Sequence, residues 1–405
     1  MIQCNSMHPS EGIYCAKSKA LDGKKIVLGI TGSIAAIQSF ELARELMRHG
    51  AKVYPVMSQD ATKFITATAL HFATGNEVVV DIDGRTQHVS YLGEYEGHAD
   101  LLLISPCTSN TISKIATGIC DTSVTTMAAV AMGTEVPVMI VPAMNLAMYE
   151  NPAVQRNVEF LKSAGVSFVG PEIAGKKARN ADSQEIVEAV IATLGDHKLS
   201  GKRVLVIGGA TQEKIDDVRL ISNISSGESA LELAIAARRQ GADVELWHAA
   251  MSVSIPNFLN VTKFTSVSDL LRLISDEKQY DLVLVPAALS DYGLAKLDGK
   301  LSSDLTDVSL KLIKLPKVLP LLRKSAKFLV GFKAECVGGE ELIERAKCRL
   351  DEYALDLIVA NNMYDVTDGH TKSVLIQKDG QKVFFEGTKK ELANVILDNA
   401  VEHLQ

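Results

Sequence analysis

Short hydrophobic runs recur along the chain, and within each run the apolar residues are continuous and do not alternate with polar ones. Continuous runs are typical of strands that a parallel sheet buries on both faces. They predict strands at 25–29, 52–57, 99–105, 137–141, 203–207, 243–247, 281–285, 328–332 and 356–360.

Amphipathic patterns with helical spacing lie between these runs, for example at 35–49, 183–194 and 230–240. Gly50 and Gly241 follow two of the patterns, at the position where a glycine commonly ends a helix. Strands that alternate with helices in this order indicate an α/β protein with doubly wound, Rossmann-like sheets.

The pattern of strand, glycine turn and helix that begins near residue 24 starts again near residue 202. The segment 195–201 between the two halves is polar and has glycine at both ends. A length of 405 residues favours two or three domains. We therefore predict domains at 1–195 and 201–405, either as an internal repeat or as two α/β domains that follow the same rules.

Composition narrows the class of partner. The chain carries 42 Lys and Arg against 49 Asp and Glu, a formal net charge of −7, so it lacks a general basic footprint for nucleic acid or anionic membranes and small molecules are the expected partners. Its apolar runs are far shorter than the roughly 20 residues of a membrane helix, and 1–20 contains no apolar run typical of a signal peptide. The six cysteines lack paired CxxC spacing, which disfavours a zinc site or a disulfide framework and favours a cytoplasmic location.

Two polar loops follow predicted strands in the first half, at the edge where doubly wound sheets bind ligands. Gly32 and Ser33 stand between the first strand and the first helix, where backbone N–H groups and the helix dipole favour a phosphate. Ser105, Thr108 and Asn110 crowd hydroxyl and amide groups into the second loop. Close packing and helix capping are the structural alternatives for these loops.

Two further polar residues in the first half are candidates for chemistry. Asn145 follows the strand predicted at 137–141 and can hold a substrate through both an N–H donor and a carbonyl acceptor. His88 enters an apolar turn and is a candidate acid or base, with a purely structural role as the alternative.

A glycine turn opens the second half and leads into a polar segment. Gly208 and Gly209 follow a predicted strand, and Arg219 and Asn223 come after them. Such a combination can bind phosphate and polarise a carbonyl group. A long polar loop that caps the next helix is the alternative interpretation.

A carboxylate with basic residues follows further along the second half. Asp291 comes after a predicted strand, and Lys300 and Lys317 come after Asp291. A carboxylate and basic side chains can hold a metal ion and a triphosphate. A solvated charged surface is the alternative here.

Taken together, these motifs resemble the bifunctional phosphopantothenoylcysteine decarboxylase/phosphopantothenate–cysteine ligases of coenzyme A synthesis along nearly the whole chain. In the first half the resemblance rests on the turn at 31–36, the loop at 105–111 with its continuation at 118–121, and the segment 142–149. In the second half it rests on 208–211, 218–219 with 223–227, 287–291 and 331–335.

The resemblance implies that the first half is an FMN-dependent decarboxylase, in which His88 and Asn145 act on the substrate. It also implies that the flavin half forms trimers. The residues implied to bind FMN are Gly32, Ser33, Ser58, Ser105, Thr108, Asn110 and Met148.

The resemblance implies that the second half is a dimeric ligase that joins 4′-phosphopantothenate to cysteine through an acyl-nucleotide, with Mg²⁺ and with CTP or ATP as co-substrate. The implied catalytic residues are Arg219, Asn223 and Lys300, and Asp291 is the implied Mg²⁺ ligand. The residues implied to bind the nucleotide are Gly208, Gly209, Ala287, Ala288, Asp291, Lys300, Pro316, Lys317, Phe332 and Arg349.

The sequence departs from the family at positions that bear on both activities, and in these respects it is similar to archaeal members. Ala178, in the segment 175–180, stands where the bacterial decarboxylases carry a lid cysteine, and Glu228 stands where the ligases carry a lysine. Arg349, with Tyr353 nearby, replaces a pair of nucleotide-contacting lysines. These departures leave open whether the nucleotide is CTP or ATP. They also leave two alternative functions: a ligase with a degenerate regulatory flavin domain, and a flavin- or NAD(P)-dependent reductase.

Overall fold

The computed structural model describes residues 8–174, 177–179, 181–274, 278–295, 299–300, 309–365 and 369–404. The chain divides into two compact units, Met1–Gly195 and Asp196–Gln405. In the described part of the chain, no helix combines the length and the apolar character needed to cross a membrane.

The first unit alternates strands and helices. Its strands are β1 (Lys25–Ile30), β2 (Lys52–Met57), β3 (Leu101–Cys107), β4 (Val138–Pro142), β5 (Met144–Asn145), β6 (Ser167–Phe168), β7 (Glu172–Ala174) and β8 (Lys177–Arg179). Its α-helices are α1 (Ser39–Arg48), α2 (Ala67–Thr74), α3 (Gln87–Leu92), α4 (Ser109–Ala116), α5 (Ser123–Met132), α6 (Leu146–Tyr149), α7 (Pro152–Ser163) and α8 (Ser183–Thr193).

The main sheet of the first unit has the strand order β2-β1-β3-β4-β6, and every pair in it is parallel. Helices α1 and α8 cover one face through residues such as Leu42 and Ile186. Helices α4, α5 and α7 cover the other face through residues such as Ile112, Val124 and Val158. Burial on both faces is the reason for the continuous apolar strands. A small antiparallel sheet in the order β5-β8-β7 lies beside the main one.

The second unit has a larger sheet. Its strands are β9 (Arg203–Gly208), β10 (Gln212–Lys214), β11 (Leu220–Ser222), β12 (Asp243–His248), β13 (Asn260–Lys263), β14 (Tyr280–Val285), β15 (Tyr292–Leu294), β16 (Leu312–Lys314), β17 (Ala326–Glu335), β18 (Leu357–Asn362), β19 (His370–Gln377) and β20 (Lys382–Thr388). Its α-helices are α9 (Glu228–Arg239), α10 (Val267–Ile274), α11 (Leu319–Leu322), α12 (Gly339–Glu352) and α13 (Lys389–Val401).

The strand order of this larger sheet is β13-β12-β9-β14-β17-β18-β19-β20. Pairs from β13 to β18 are parallel, whereas β18–β19 and β19–β20 are antiparallel. Helices α9 and α13 pack on one face through residues such as Leu233 and Leu397. Helices α10 and α12 pack on the other face through residues such as Leu270 and Ala346. The sheet is therefore doubly wound, with an antiparallel extension at one edge.

The predicted fold class is confirmed, and each strand predicted from the sequence is present with ends that shift by up to three residues. Gly50 and Gly241 have φ angles of +100° and +85°, so both end their helices in the left-handed conformation that glycine adopts most readily. The pattern at 35–49 is split, because a short 3₁₀ helix at Ile34–Gln38 precedes α1.

Candidate active sites

The loops after β1 and β3 are joined at the carboxyl edge of the first sheet. Thr31 is buried, and its Oγ1 donates to the carbonyl oxygen of Pro106 at 2.8 Å and accepts from the N–H of Thr108 at 3.1 Å. Ser39 Oγ donates to the carbonyl oxygen of Ser105 at 3.1 Å. These bonds fix the two predicted ligand loops against each other.

Three of the predicted FMN-binding hydroxyls cap helices. Ser33 accepts from the N–H of Ala35 at 3.3 Å, and Ser58 accepts from the N–H of Ala61 at 3.3 Å. Thr108 caps α4 by accepting from the N–H of Thr111 at 3.4 Å. Thr108 therefore caps a helix, as the structural alternative for the loop at 105–111 predicts, and Ser33 and Ser58 do the same. Capping is compatible with ligand binding because a capping hydroxyl still carries its own hydrogen.

The remaining predicted FMN residues differ in exposure. Ser105 is buried, whereas Asn110 and Met148 are exposed. A Cβ atom added to Gly32 would lie 2.5 Å from Cβ of Asp60, so the loops after β1 and β2 approach too closely for a larger residue at position 32. Glycine is needed here for that approach, and the loop with Ser58 lies beside the one with Ser33.

Asn145 is exposed at the end of β5, and only one end of its amide is engaged. Its Oδ1 accepts from the N–H of Ala147 at 2.9 Å and caps α6. Within the described residues, its Nδ2 has no hydrogen-bond partner. The side chain can therefore donate to a ligand without losing its capping bond.

The segment that replaces the lid cysteine pairs with the strand of Asn145. In the antiparallel β5–β8 pair, Met144 lies opposite Ala178 and Asn145 lies opposite Lys177. Residues 175, 176 and 180 of the predicted lid segment lie outside the described residues. The backbone of position 177 thus lies opposite Asn145, the residue that we expect to contact the substrate, and position 178 lies opposite its neighbour Met144.

His88 lies in the first turn of α3, and its Nδ1 atom is buried. Over the described residues, this nitrogen is one of two buried side-chain N or O atoms without a hydrogen-bond partner, and the other is Oε1 of Gln240. Buried polar atoms are nearly always paired in native proteins. An unpaired ring nitrogen is what a histidine that exchanges a proton with a ligand would present.

Cys107 does not replace the missing lid cysteine. It lies at the end of β3 and is completely buried. Burial raises the pKa of its thiol far above the ordinary value, so the thiol stays protonated at neutral pH and is a poor acid or nucleophile.

A cavity of about 600 Å³ lies at the carboxyl edge of the second sheet. It is walled by the loop before α9, the loop after β14, the segment at 316–319, parts of β17 to β19, and the first residue of α13. The predicted residues that line it are Asn223, Ala287, Ala288, Asp291, Pro316, Lys317, Phe332 and Arg349.

A short stretch after β9 supports this cavity without lining it. The N–H of Ala288 donates to the carbonyl oxygen of Gly209 at 2.9 Å, and the N–H of Thr211 donates to the carbonyl oxygen of Ala288 at 3.2 Å. Gly209 has a φ of +80°, and an added Cβ would lie 2.6 Å from the carbonyl oxygen of Ala250. At Gly208 an added Cβ would lie 2.2 Å from Cβ of Ala230 in α9. Both glycines therefore permit close packing under the cavity.

Asn223 shows the opposite arrangement from Asn145. Its Nδ2 donates to the carbonyl oxygens of Ala288 and Leu289 at 3.3 and 3.2 Å. Among the residues that the structure describes, its Oδ1 has no partner. Asn223 therefore offers a hydrogen-bond acceptor to the cavity, whereas Asn145 offers a donor.

Every basic side chain of the cavity wall has an acidic partner. Two pairs have both members on the wall: Lys317 with Asp291 at 2.5 Å, and Lys389 with Glu228 at 2.5 Å. The other two wall cations have partners off the wall: Lys333 pairs with Glu335 at 2.9 Å, and Arg349 with Glu352 at 2.5 Å.

The environment of Arg349 keeps it charged. Burial alone would lower the pKa of its guanidinium, but the hydrogen bond to Glu352 raises it above the ordinary value. Arg349 also donates to the Tyr353 hydroxyl at 2.8 Å, and both residues line the cavity.

Two predicted catalytic residues lie away from the cavity wall. Nη1 of Arg219 pairs with the buried carboxylate of Asp216 at 2.7 Å, and that carboxylate also accepts from the Arg219 N–H at 2.6 Å. Lys300 is exposed and follows Gly299, whose carbonyl oxygen accepts from the N–H of Asp217 at 3.2 Å. Neither Arg219 nor Lys300 lies on the cavity wall.

The sequence did not identify Lys333, Thr371, Ser373 or Lys389 as candidates, although all four line the cavity. Within the described residues, no group of three or more His, Cys, Asp or Glu side chains could hold a metal ion. A Mg²⁺ ion is usually held by one or two carboxylates together with substrate phosphates, so a single carboxylate such as Asp291 is compatible with it.

The fold and the two ligand-facing edges define a two-domain α/β protein with a separate candidate site in each unit. The flavoprotein family model matches residues 15–195, and the model of the DNA/pantothenate metabolism flavoprotein C-terminal domain matches residues 199–404. The match of these two models covers nearly the whole chain.

Curated relatives match along their full length. The coenzyme A biosynthesis bifunctional protein CoaBC of Thermococcus kodakarensis is 44% identical, over 97% of this chain and 98% of the relative. The proteins of the same name from Methanocaldococcus jannaschii and Escherichia coli K12 are 39% and 32% identical, over 97% and 94% of this chain and 97% and 98% of the relatives. The chain therefore belongs to the family of coenzyme A biosynthesis bifunctional proteins.

Solved structures resemble the two units separately. The C-terminal domain of coenzyme A biosynthesis bifunctional protein CoaBC is 29% identical over 52% of this chain and 98% of that domain, with a TM-score of 0.43. The FMN-dependent cysteine decarboxylase SpaF is 29% identical over 43% of this chain and 98% of its own, with a TM-score of 0.37.

Proposed function

We propose that the second unit joins 4′-phosphopantothenate to cysteine at the expense of a nucleoside triphosphate, and that the first unit decarboxylates the product to 4′-phosphopantetheine. One observation carries the proposal. Asn145 and Asn223 both stand at carboxyl edges, each with one end of its amide bound to backbone and the other end directed to no described partner. Two such amides suit two successive reactions of polar substrates.

The residues of the first edge fit FMN, because hydroxyls and backbone N–H groups of neighbouring loops meet there. His88 of the same unit has a buried and unpaired Nδ1. When bound, FMN supplies a hydride acceptor that later returns the hydride, so no external reductant is required. The residues that would hold it are Gly32, Ser33, Ser58, Ser105, Thr108, Asn110 and Met148.

Two side chains of the first unit act on the substrate itself. His88 takes the proton from the cysteine thiol at its Nδ1 atom. The Nδ2 group of Asn145 donates to the carboxylate that leaves as CO₂ and so fixes its orientation. Because Ala178 has no acidic hydrogen on its side chain, the proton that completes the product comes from His88 or from water.

In the second unit the 4′-phosphopantothenate carboxylate attacks the α-phosphate of the nucleotide. Pyrophosphate leaves, and the cysteine amine then displaces the nucleoside monophosphate from the acyl-nucleotide. Lys317 offsets phosphate charge, and Asp291 is the carboxylate that would hold Mg²⁺, which would supply further positive charge to the phosphates. Oδ1 of Asn223 accepts a hydrogen of the attacking amine.

The other predicted residues have smaller or conditional roles. Ala287, Ala288, Pro316, Phe332 and Arg349 surround the nucleotide, and Gly208 and Gly209 support their loop. Arg219 and Lys300 take part only if they move from their present positions to the cavity. The protein works in the cytoplasm as a homo-oligomer, with trimers of the first unit and dimers of the second.

The test is an assay for two products. Purified yellow protein is incubated with 4′-phosphopantothenate, cysteine, Mg²⁺ and either CTP or ATP, and pyrophosphate and CO₂ are measured together. We expect both products in equal amounts, with one nucleotide preferred. Pyrophosphate without CO₂ would leave a ligase with a degenerate flavin unit, and consumption of added NAD(P)H would indicate a reductase. The absence of both pyrophosphate and CO₂ would overturn the proposal.

A further inference from the structure

An ion pair on the cavity wall joins two helices that are distant in sequence. Nζ of Lys389, the first residue of α13, lies 2.5 Å from Oε2 of Glu228, the first residue of α9. The side chains keep 16% and 34% of their exposure, so Lys389 is the more sheltered partner. Both residues line the cavity of the second unit.

The backbone at Lys389 is fixed from several sides. Thr388 caps α13: its Oγ1 accepts from the N–H of Glu391 at 3.2 Å, and the Glu391 carboxylate accepts from the Thr388 N–H at 2.8 Å. The N–H of Lys389 itself donates to the carbonyl oxygen of Gly369 at 3.1 Å. The start of α13 therefore stays in place, and only the side chain of Lys389 needs to turn when the pair opens.

Hydroxyl groups line the same part of the cavity. Thr371 and Ser373 on β19 are buried, and their hydroxyls lie 3.3 Å from each other. Ser225 and Ser226 stand directly before α9 and also line the cavity. Hydroxyls and an ammonium group are donors that suit phosphate oxygens, and Glu228 is the single carboxylate among them.

The pair differs from the other ion pairs of the wall. Glu335 and Glu352, the partners of Lys333 and Arg349, lie off the wall, so an incoming anion cannot displace them directly. The Asp291–Lys317 pair has both members on the wall, but its carboxylate keeps 62% of its exposure. Charges interact more strongly when they are sheltered from water. Replacing the carboxylate partner with a phosphate therefore has a larger electrostatic effect at Lys389 than at the other cations of the wall.

We propose that Lys389 binds the polyphosphate of the nucleotide, and that Glu228 is its counter-ion in the empty cavity and is displaced when the polyphosphate binds. The proposal rests on the proposed ligase function of the second unit. It also accounts for a departure from the resembled ligases: Glu228 stands in place of a lysine, and the cation reaches the cavity from α13.

The exchange predicts opposite effects for the two partners. Loss of the Lys389 charge removes a favourable interaction with the polyphosphate. Loss of the Glu228 charge removes the competitor and a repulsion between like charges. A pair with only a structural role would give losses of the same sign for both substitutions.

The experiment measures binding of Mg²⁺-tripolyphosphate, Mg²⁺-CTP and Mg²⁺-ATP to the full flavin-loaded chain by calorimetry. Lys389→Gln is expected to raise the Kd about tenfold or more, and Glu228→Gln is expected to lower it about threefold. Lys389→Arg retains the charge and is expected to stay close to wild type. Lys372→Gln is the matched control. It breaks the exposed Lys372–Glu386 ion pair, whose members lie 2.9 Å apart and do not line this cavity, and it is expected to leave the Kd unchanged.

Two results would overturn the proposal: an unchanged Kd for Lys389→Gln, or a Kd that rises for Glu228→Gln as it does for Lys389→Gln. If Lys389→Gln unfolds, the comparison of Glu228→Gln with Lys389→Arg still decides, because only a competing anion tightens binding when it is removed. Failure of the ligase function is recognised separately, as absence of pyrophosphate release by the wild type, and the tripolyphosphate titration remains informative in that case.

Discussion

The two carboxyl edges of this protein present different chemistry to their ligands. At the first edge the predicted ligand residues are neutral, and the loops that carry them are bonded to each other through Thr31 and Pro106. At the second edge the wall carries the ion pairs Asp291–Lys317 and Glu228–Lys389. A rigid neutral cradle suits a group that stays bound, whereas exchangeable ion pairs suit a charged substrate that enters and leaves in each turnover.

The two edges also differ in the hydrogen-bonding group that an asparagine offers to a ligand. Asn145 uses its oxygen for a helix cap and keeps its N–H groups for a ligand, which suits a carboxylate. Asn223 uses its N–H groups for two backbone carbonyls and keeps its oxygen, which suits an amine. The backbone group that each amide binds thus determines whether the side chain offers a donor or an acceptor to the substrate.

The largest expected effect comes from reversing the polarity of the first amide. Asn145→Asp preserves the oxygen that caps α6 but replaces the N–H donor with a negative charge facing the substrate carboxylate. We expect CO₂ release to fall about 100-fold or more, because loss of one donor to a reacting group typically has an effect of this size. The measurement is single-turnover CO₂ release from phosphopantothenoylcysteine, alongside pyrophosphate release, which should stay at the wild-type rate.

Asn151→Asp is the matched control for this substitution. Oδ1 of Asn151 caps α7 by accepting from the N–H of Ala153 at 2.9 Å, in the same way as Asn145 caps α6. Asp is as good a cap as Asn, so this variant should decarboxylate normally. Wild-type CO₂ release by Asn145→Asp would show that the donor at position 145 takes no part in the reaction.

Much of the fold could be predicted because its strands are buried on both faces and read as continuous apolar runs. The strands β19 and β20 form the antiparallel edge of the second sheet and were not predicted. In β20 the reason is that exposed residues alternate with partly buried ones. The exposed alternation of Lys382, Phe384 and Glu386 lacks the apolar continuity on which the other predictions relied.

The sites could be predicted only where one loop carries the relevant residues. The loops at 105–111 and 287–291 follow strands, and both lie at a carboxyl edge as expected. Lys389 and Glu228 are 161 residues apart, and no local pattern links them. Arg219 was proposed from its position in a polar segment, but a buried carboxylate three residues earlier, Asp216, holds its side chain. Spacing reveals which residues are near in the chain, but it does not reveal which charges neutralise each other.

A smaller effect is expected from the glycine that supports the second edge. Gly209→Ala places a Cβ 2.6 Å from the backbone oxygen of Ala250 and requires a left-handed φ from alanine. The left-handed conformation costs about 1–2 kcal/mol and the backbone overlap adds to it, so we expect a loss of roughly 2–4 kcal/mol in unfolding free energy. The single tryptophan, Trp247, lies in this unit, so its fluorescence during urea unfolding measures the stability of this unit.

The control for that substitution is Gly201→Ala. Gly201 has a similar φ of +73°, but an added Cβ would meet no atom within 4 Å. Only the conformational cost of about 1–2 kcal/mol should remain. Equal losses for the two variants would show that the close approach of Gly209 to Ala250 is unimportant, and with it the rigid support that we assign to the Ala288 loop.

The smallest effect concerns a carboxylate away from the cavity, and it tests whether charge pairing also stabilises the second unit. Glu245 accepts hydrogen bonds from Tyr280 at 3.1 Å and Lys278 at 3.2 Å. Burial alone would raise the pKa of Glu245, but the hydrogen bonds from Lys278 and Tyr280 hold it below its ordinary value of 4.5. A lowered pKa in the folded state means that this stabilisation is fully present above pH 4.5 and is lost as the pH falls through the folded value.

Glu245→Gln should therefore lower the unfolding free energy by about 1 kcal/mol at pH 7, and the difference in unfolding free energy from wild type should shrink on acidification below pH 4.5. Urea unfolding at a series of pH values, followed by Trp247 fluorescence, measures this difference, and Glu386→Gln, in an exposed pair, should show none. A difference that stays constant down to the acid transition would mean that the ionised form of Glu245 contributes nothing to stability.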